Sequence, residues 1–380
     1  MTAAPAMTSC VRPTPSGRVY NFSAGPAGMP EPVLRQLQED LWDLRGSGIG
    51  IMEHSHRGKV YDEINAEAHE WCRKAGRVPA DWEVILMPGG ATVQQAYLPF
   101  NFLPAGRTAD YPDTGIWTTK AIGEGRKAAA MLGAHIHVAY EGSRVKYTRV
   151  PKDGEMSQTP NAAYLHYCSN NTVFGTRYPT TPVTTAPLVC DASSEYFARP
   201  VDWSRHVMLY GGGQKNLGPS GISLVLVKKD FLATANPALP TLINFAAHAA
   251  GESRLNTPPT FGVHAMGLMF RWIAAQGGPE ALERAAIDKS NLLYDAIDSS
   301  NGFYTGRAEH WCRSLMNVSY RLATPDLDAR FVAEAAAQGM DGLTGHRDAG
   351  GIRASIYSAF PREGCVALAQ FMRDFASRNS

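Results

Sequence analysis

The sequence predicts an α/β protein, with a mainly parallel sheet in the middle of the chain and a smaller α+β domain beyond about residue 275. Three observations carry that reading. Short runs that are apolar on both faces recur between residues 83 and 227, as strands covered by helices on both sides require. Helix-period patterns separate several of them, the alternation that builds parallel sheets. The chain has 380 residues, 44% of them hydrophobic, enough for two domains with sizeable cores.

The elements follow in order. The first 17 residues, MTAAPAMTSCVRPTPSG, hold no acid and three prolines, and a disordered tail is expected because they bury too little apolar surface to offset ordering. A targeting segment shares that composition, but only Arg12 precedes Arg18, so targeting stays a secondary reading. Val33, Leu34, Leu37, Leu41 and Leu44 share one face of a helix over 31–44, stopped by Gly46-Ser47-Gly48. A second helix over 59–75 carries Val60, Ile64, Ala68, Trp71 and Cys72, with Asp62 and Glu63 in its first turn and Arg73 and Lys74 in its last. The helix dipole favours that charge order, so these groups need no catalytic role. Strands are expected at 83–87, 135–138, 164–167, 187–190, 206–210 and 222–227. After the first, Pro88-Gly89-Gly90 leads into a helix whose apolar face is Val93, Ala96, Tyr97 and Phe100. In the C-terminal part a helix carries Leu282, Ala286, Leu293 and Ile297, then strands near 315–322 and 352–357 alternate with helices at 326–338 and 361–377.

Composition excludes several functions. Lys and Arg total 36 against 35 Asp and Glu, so a net charge of +1 gives no electrostatic reason to expect duplex nucleic acid or an anionic membrane. No apolar run approaches the ~18 residues of a membrane span. Six cysteines without a C-x-x-C pair argue against a disulfide scaffold and a structural zinc site, and no metal is expected. A soluble, cytoplasmic protein is expected.

Five features carry chemistry. In HVMLYGGGQKNLGPSGISLVLV (206–227) a strand ends in three glycines, then Gln214 and Lys215. Glycines admit positive φ and close approach, so Lys215 is expected in a tight, poorly solvated place where its depressed pKa would make it a nucleophile. The plain alternative is an exposed loop lysine. Asp191 ends the apolar strand of APLVCDASS (186–194), where α/β sheets place binding groups. A pyridinium nitrogen or a structural arginine would each satisfy it. The turn at Gly89-Gly90, with Ala91 and Thr92 opening a helix, offers the unpaired N–H groups of an anion site, or is simply a strand–turn–helix. Trp117 in DYPDTGIWTTKA (110–121) is a core residue or a flat stacking surface. His346, Arg347 and Arg353 in GLTGHRDAGGIRASIY (342–357), with His56 and Arg57 in SHRGK (55–59), suit phosphate and carboxylate, or are solvated surface charge. Jointly, an anion cup, an aromatic slab, a strand-end carboxylate and a strand-end lysine meet each requirement of pyridoxal 5′-phosphate: its phosphate, ring face, ring nitrogen and aldehyde.

On these motifs the chain resembles the class-V aminotransferases, pyridoxal-phosphate enzymes of fold type I, and among them those acting on phosphoserine. The likeness runs through YNFSAGPAGMPEPVL (20–34), SHRGK (55–59), GGAT (89–92), DYPDTGIW (110–117), LHYCSNNTVFG (165–175), CDASS (190–194), YGGGQKNLGPSG (210–221), NTPPTF (256–261) and GHRDAGGIRASIY (345–357). It implies a large cofactor-binding domain over 30–275 with a mainly parallel seven-stranded sheet, and a small α+β domain from 18–29 and 276–380. It implies that Lys215 is the Schiff-base lysine and that Asp191 pairs with the pyridine nitrogen. Trp117 would stack on the ring, and Thr172 would reach its hydroxyl. Ala91, Thr92 and Gln214 would hold the phosphate, with Asn256 and Thr257 from a neighbouring subunit of a homodimer. Arg353 would hold the substrate's α-carboxylate. His56 and Arg57, with His346 and Arg347, would hold the distal phosphate or carboxylate, one pair coming from the partner. The implied reaction interconverts 3-phosphohydroxypyruvate and L-glutamate with O-phospho-L-serine and 2-oxoglutarate, in L-serine biosynthesis. One departure is Thr92, where some members carry arginine or cysteine; a neutral residue there adds nothing to distal-anion binding. The alternatives are a serine– or alanine–glyoxylate aminotransferase, a cysteine desulfurase, for which Cys312 and Cys365 lie in or beside patterned elements, and a non-catalytic nucleotide-binding module.

Overall fold

Residues 11–379 are described by a computed structural model, built around a seven-stranded sheet. Its strands in chain order are β1 (Trp82–Pro88), β2 (Thr108–Asp113), β3 (His135–Glu141), β4 (Leu165–Cys168), β5 (Leu188–Asp191), β6 (His206–Gly212) and β7 (Ile222–Lys228). Across the sheet the order is β1-β7-β6-β5-β4-β2-β3. Strand β7 runs against both neighbours, and every other pairing is parallel.

All six apolar runs become strands. The seventh, β2, has no apolar signature because it carries Asp110 and Pro112. Asp110 is buried at no cost in unpaired charge, since its carboxylate accepts the Thr159 N–H and the Thr159 hydroxyl, both at 2.7 Å. Pro112 sits where the register with β3 shifts.

The helices around the sheet are α1 (Glu31–Trp42), α2 (Lys59–Gly76), α3 (Ala91–Phe102), α4 (Ile116–Leu132) and α5 (Thr260–Ala275). Strand side chains alternate between two cores, as a period of two dictates. Leu86, Leu188, Cys190 and Leu224 pack with α2 and α5, while Ile85, Val189, Tyr210 and Val225 pack with α3 and α4. Helix α1 departs from its predicted face: it ends at Trp42, Leu41 is exposed, and Leu44 is buried from the turn that follows, where Arg45 takes φ 57°.

A third core forms around helices α6 (Gly278–Asp298), α7 (Pro325–Ala337) and α8 (Arg362–Asn379) and the antiparallel strands β8 (Thr305–Gly306), β9 (Asn317–Arg321) and β10 (Ile352–Ser355). It gathers Leu293, Val318, Phe331, Ala354, Leu368 and Phe375, and Tyr20 and Phe22 join it from the other end of the chain. Residues 11–17, expected as part of a tail, include a turn closed by the Gly17 N–H on the Thr14 carbonyl, with Pro13 against Gly339; residues 1–10 lie outside the described residues. Among the described residues, no helix is long and apolar enough to cross a membrane.

Candidate active site

The parallel strands deliver their C-terminal ends to one edge, where Cys168, Asp191 and Gly212 meet the N-termini of α3 and α4. Lys215 stands just past β6. The glycines before it serve close approach rather than positive φ, which falls instead on Gly218 and Gly221. A Cβ on Gly212 would lie 2.4 Å from Gln214 Oε1 and 3.3 Å from the Ala91 nitrogen, so any side chain there fills the space between α3's first N–H groups and Gln214. Contacts from distant parts of the chain fix this loop: the Ala27 N–H donates to the Gln214 carbonyl at 2.9 Å, the Ser358 N–H donates to Asn216 Oδ1 at 3.0 Å, and the Asn216 amide donates to the Tyr196 carbonyl at 2.7 Å. The loop around Ser358 is itself held by Lys289 of α6, which donates to the carbonyls of Tyr357 and Phe360 at 2.7 and 3.0 Å.

Lys215 is half-buried, with its Nζ 4.8 Å from the centre of the Trp117 ring. Desolvation pulls its pKa below the ordinary lysine value; Asp191 opposes this and Arg353 reinforces it. Trp117 is likewise half-buried and belongs to none of the cores, and its ring lies against the Lys215 ammonium. Its Nε1–H donates to Thr172 Oγ1 at 2.8 Å, and the Thr172 carbonyl accepts Arg353 Nη1–H at 3.2 Å. That chain ties the aromatic wall to the arginine.

Asp191 is buried and oriented. Its Oδ1 accepts the Ser193 N–H at 3.1 Å and the Ser193 hydroxyl at 2.6 Å, while Oδ2 meets only the Gln95 amide, at 3.4 Å. Of the two readings left open for it, a structural arginine is not what pairs with this carboxylate among the described residues.

The cations fall into two groups. The charge of Arg353 reaches both Lys215 and His346, and Arg347 beside His346 is exposed. Burial lowers the His346 pKa; Asp348 opposes this, and Arg353, Arg347 and Lys120 reinforce it. His56 and Arg57 lie apart, in a cleft of about 320 Å³ that they share with Asp62, Arg254, Leu255, Asn256 and Thr257. The structure thus brings Ala91, Trp117, Thr172, Asp191, Gln214, Lys215, His346 and Arg353 to the strand ends, and gathers His56, Arg57, Asn256 and Thr257 elsewhere on the same chain. Thr92 is exposed at the start of α3. A larger cavity, about 460 Å³, opens on the Cys190 side of the sheet and is lined by Tyr167, Glu195, Arg199 and His206; none of the residues singled out above lines it.

Sequence reasoning missed Ser193, Gln95 and Arg254. Ser193 had a local signal, a serine two residues after a strand-end aspartate, which closes a short side-chain turn. Gln95 had none, since a polar residue one turn into a helix reads as solvent-facing. Arg254 pairs with Asp62 across 192 residues, a contact no local pattern reveals.

The residues present fit pyridoxal phosphate. Asp191 Oδ2 is poorly satisfied, Gln95 Oε1 and Arg353 Nε are buried without partners, and the cradle at Gly212 lies open to α3's N-terminus. The family model described as aminotransferase class-V matches residues 19–368. A phosphoserine aminotransferase of Herpetosiphon aurantiacus is 44% identical over 361 residues, 95% of this chain and 99% of that one. The solved structure of phosphoserine aminotransferase from Bacillus circulans subsp. alkalophilus superposes with a TM-score of 0.91 at 41% identity, covering 96% of this chain and 99% of that one. A structure of the enzyme from Trichomonas vaginalis, described as having pyridoxal phosphate bound, gives a TM-score of 0.89 at 33% identity over 94% of this chain and 100% of the other.

Proposed function

This chain belongs to the class-V aminotransferase family, and on that footing we propose that it interconverts 3-phosphohydroxypyruvate and L-glutamate with O-phospho-L-serine and 2-oxoglutarate, in L-serine biosynthesis. The observation that carries the reading is a desolvated Lys215 amine lying on the Trp117 ring, within the field of Asp191 and Arg353. Bound pyridoxal phosphate supplies an electrophilic aldehyde and a ring that takes up the electron pair left when the substrate's Cα loses its proton.

The protein does the rest. Lys215, with its pKa depressed, presents a larger share of neutral amine, which is the form that attaches to an aldehyde and, once released, accepts a proton from Cα and returns it. Asp191, with Oδ1 fixed by Ser193, would hold a proton on the ring nitrogen through Oδ2. Trp117 would cover one ring face and Thr172 would meet the ring hydroxyl. The first N–H groups of α3, at Ala91 and Thr92, and Gln214 would hold the phosphate, where the helix dipole favours an anion.

Arg353 takes the α-carboxylate. The distal group of either substrate, a phosphate or a γ-carboxylate, goes to His346 and Arg347 and to His56 and Arg57, because guanidinium forks accept both anions. A glyoxylate-specific enzyme would leave these pairs without a ligand. We place His56, Arg57, Asn256 and Thr257 in the neighbouring site of a homodimer, which accounts for their clustering in a cleft of their own.

The direct test supplies phosphoserine and 2-oxoglutarate to the purified holoenzyme and measures glutamate. Release is expected, and borohydride treatment should fix the cofactor on the peptide containing Lys215, an adduct that Lys215→Ala abolishes. Turnover of alanine with glyoxylate but not of phosphoserine, or an adduct that survives in the variant, would overturn the assignment.

A further inference from the structure

We propose that Lys120 is a specificity-determining residue whose ammonium meets the substrate's distal anion and favours a phosphate dianion over a carboxylate. The inference rests on the phosphoserine reading and deepens it. Lys120 follows Trp117 by three residues on α4, so helical spacing puts both side chains on one face. Its Nζ lies 4.7 Å from the centre of the Trp117 ring, the same ring that carries Lys215 Nζ at 4.8 Å. Its charge also reaches His346, alongside those of Arg353 and Arg347. Lys120 therefore stands where the aromatic wall of the pocket meets its cationic mouth.

Its own helix does not neutralise it. The carboxylate one turn further on, Glu124, pairs with Lys127 at 2.7 Å, and among the described residues no carboxylate forms an ion pair with Lys120. A phosphate dianion carries about twice the charge of a carboxylate, so an added point charge stabilises it more, whereas the planar arginine forks accept either group.

The test uses the holoenzyme and two unreactive anions, 3-phosphoglycerate and glutarate, with binding followed by tryptophan fluorescence, and KM measured for phosphoserine and for glutamate. Lys120→Gln should weaken 3-phosphoglycerate and raise KM for phosphoserine by about tenfold, with less than about threefold for glutarate and glutamate. Lys120→Arg should restore the preference. Losses equal for both anions within twofold, or no loss for either, would overturn the proposal while leaving the phosphoserine reading intact. A wild-type enzyme that turns over no phosphoserine overturns that reading itself, and this one with it.

Discussion

The Ser193 hydroxyl makes the shortest of the contacts that orient Asp191. Ser193 Oγ donates to Asp191 Oδ1 at 2.6 Å and accepts the Gly212 N–H at 3.2 Å, so a single side chain couples the strand-end carboxylate to the strand that leads into Lys215. Hydrogen bonds to a charged group are worth about 1.5–3 kcal/mol, and this one is buried. Ser193→Ala is therefore expected to weaken cofactor affinity about tenfold and to lower kcat by a similar factor, with the fold retained. Equilibrium titration of the cofactor-free protein checks it; an unchanged dissociation constant would mean that the backbone N–H at 193 and the Gln95 amide suffice to hold Asp191. The contrast with the residues read from sequence is instructive. Lys215, Asp191 and Trp117 were legible because each follows a strand or opens a helix beside glycines, and such ends are where sheets present chemistry. Ser193 and Gln95 act only through Asp191, and nothing in their immediate sequence states that.

The strands of the Asp191 edge are cross-linked by buried polar side chains. Tyr111 and Tyr164 share a hydrogen bond of 2.8 Å, and His166 on β4 meets the Tyr210 hydroxyl on β6 at 2.7 Å, bridging over β5. Burial pushes the His166 pKa down to about 4, with Asp191 opposing the shift. The imidazole is thus neutral in the fold at pH 5, while its unfolded counterpart titrates near 6.5. Between those values the unfolded chain binds more protons, so stability falls as the pH drops from 6.5 towards 4, and no further loss from this group occurs below that. His166→Gln, which keeps a hydrogen-bonding group for Tyr210 and cannot charge, should reduce the stability lost between pH 6.5 and 5 by about 2 kcal/mol, read from urea unfolding at both pH values. An identical loss in the variant would place the acid sensitivity elsewhere. Elements of this kind also mark where periodicity misleads. Helix α3 was expected to bury Val93, Ala96, Tyr97 and Phe100, yet its buried residues are Gln94, Gln95, Leu98, Pro99, Asn101 and Phe102. Gln94 donates to Ser223 Oγ at 2.9 Å, and Asn101 donates to the Ile243 carbonyl at 2.8 Å and accepts the Phe245 N–H at 3.0 Å. Amides whose N–H groups find partners inside the fold can be buried beside leucines, even though Gln94 Oε1 and Gln95 Oε1 have no partner, and an apolar pattern cannot show them. Strand β2 was hidden for the same reason, its Asp110 being paired with Thr159.

At the scale of the molecule, the proposed homodimer decides which chain completes which site. One protomer holds Lys215, Asp191 and Arg353 at its strand ends, and holds His56, Arg57, Asn256 and Thr257 in a separate cleft. Two-fold symmetry would carry the cleft of each protomer to the pocket of the other and make both sites composite at once. The exposed Leu41, Trp42, Ile49 and Met52 lie in the segment leading to His56, and an interface would cover them. Complementation distinguishes the arrangements. A Lys215→Ala homodimer has no amine in either pocket, and a His56→Ala/Arg57→Ala homodimer lacks a distal-anion clamp in both, so each alone should show under about one-hundredth of wild-type kcat/KM with phosphoserine. In a mixed dimer with shared sites, one pocket receives Lys215 from the clamp-deficient chain and His56 and Arg57 from the lysine-deficient chain, and is wild type, while the other pocket carries both defects. Random reassortment of equal amounts makes half the dimers mixed, each with one good site of two, and should recover about a quarter of wild-type activity. If instead each chain serves its own pocket, every site in the mixture retains a defect and no activity returns on mixing.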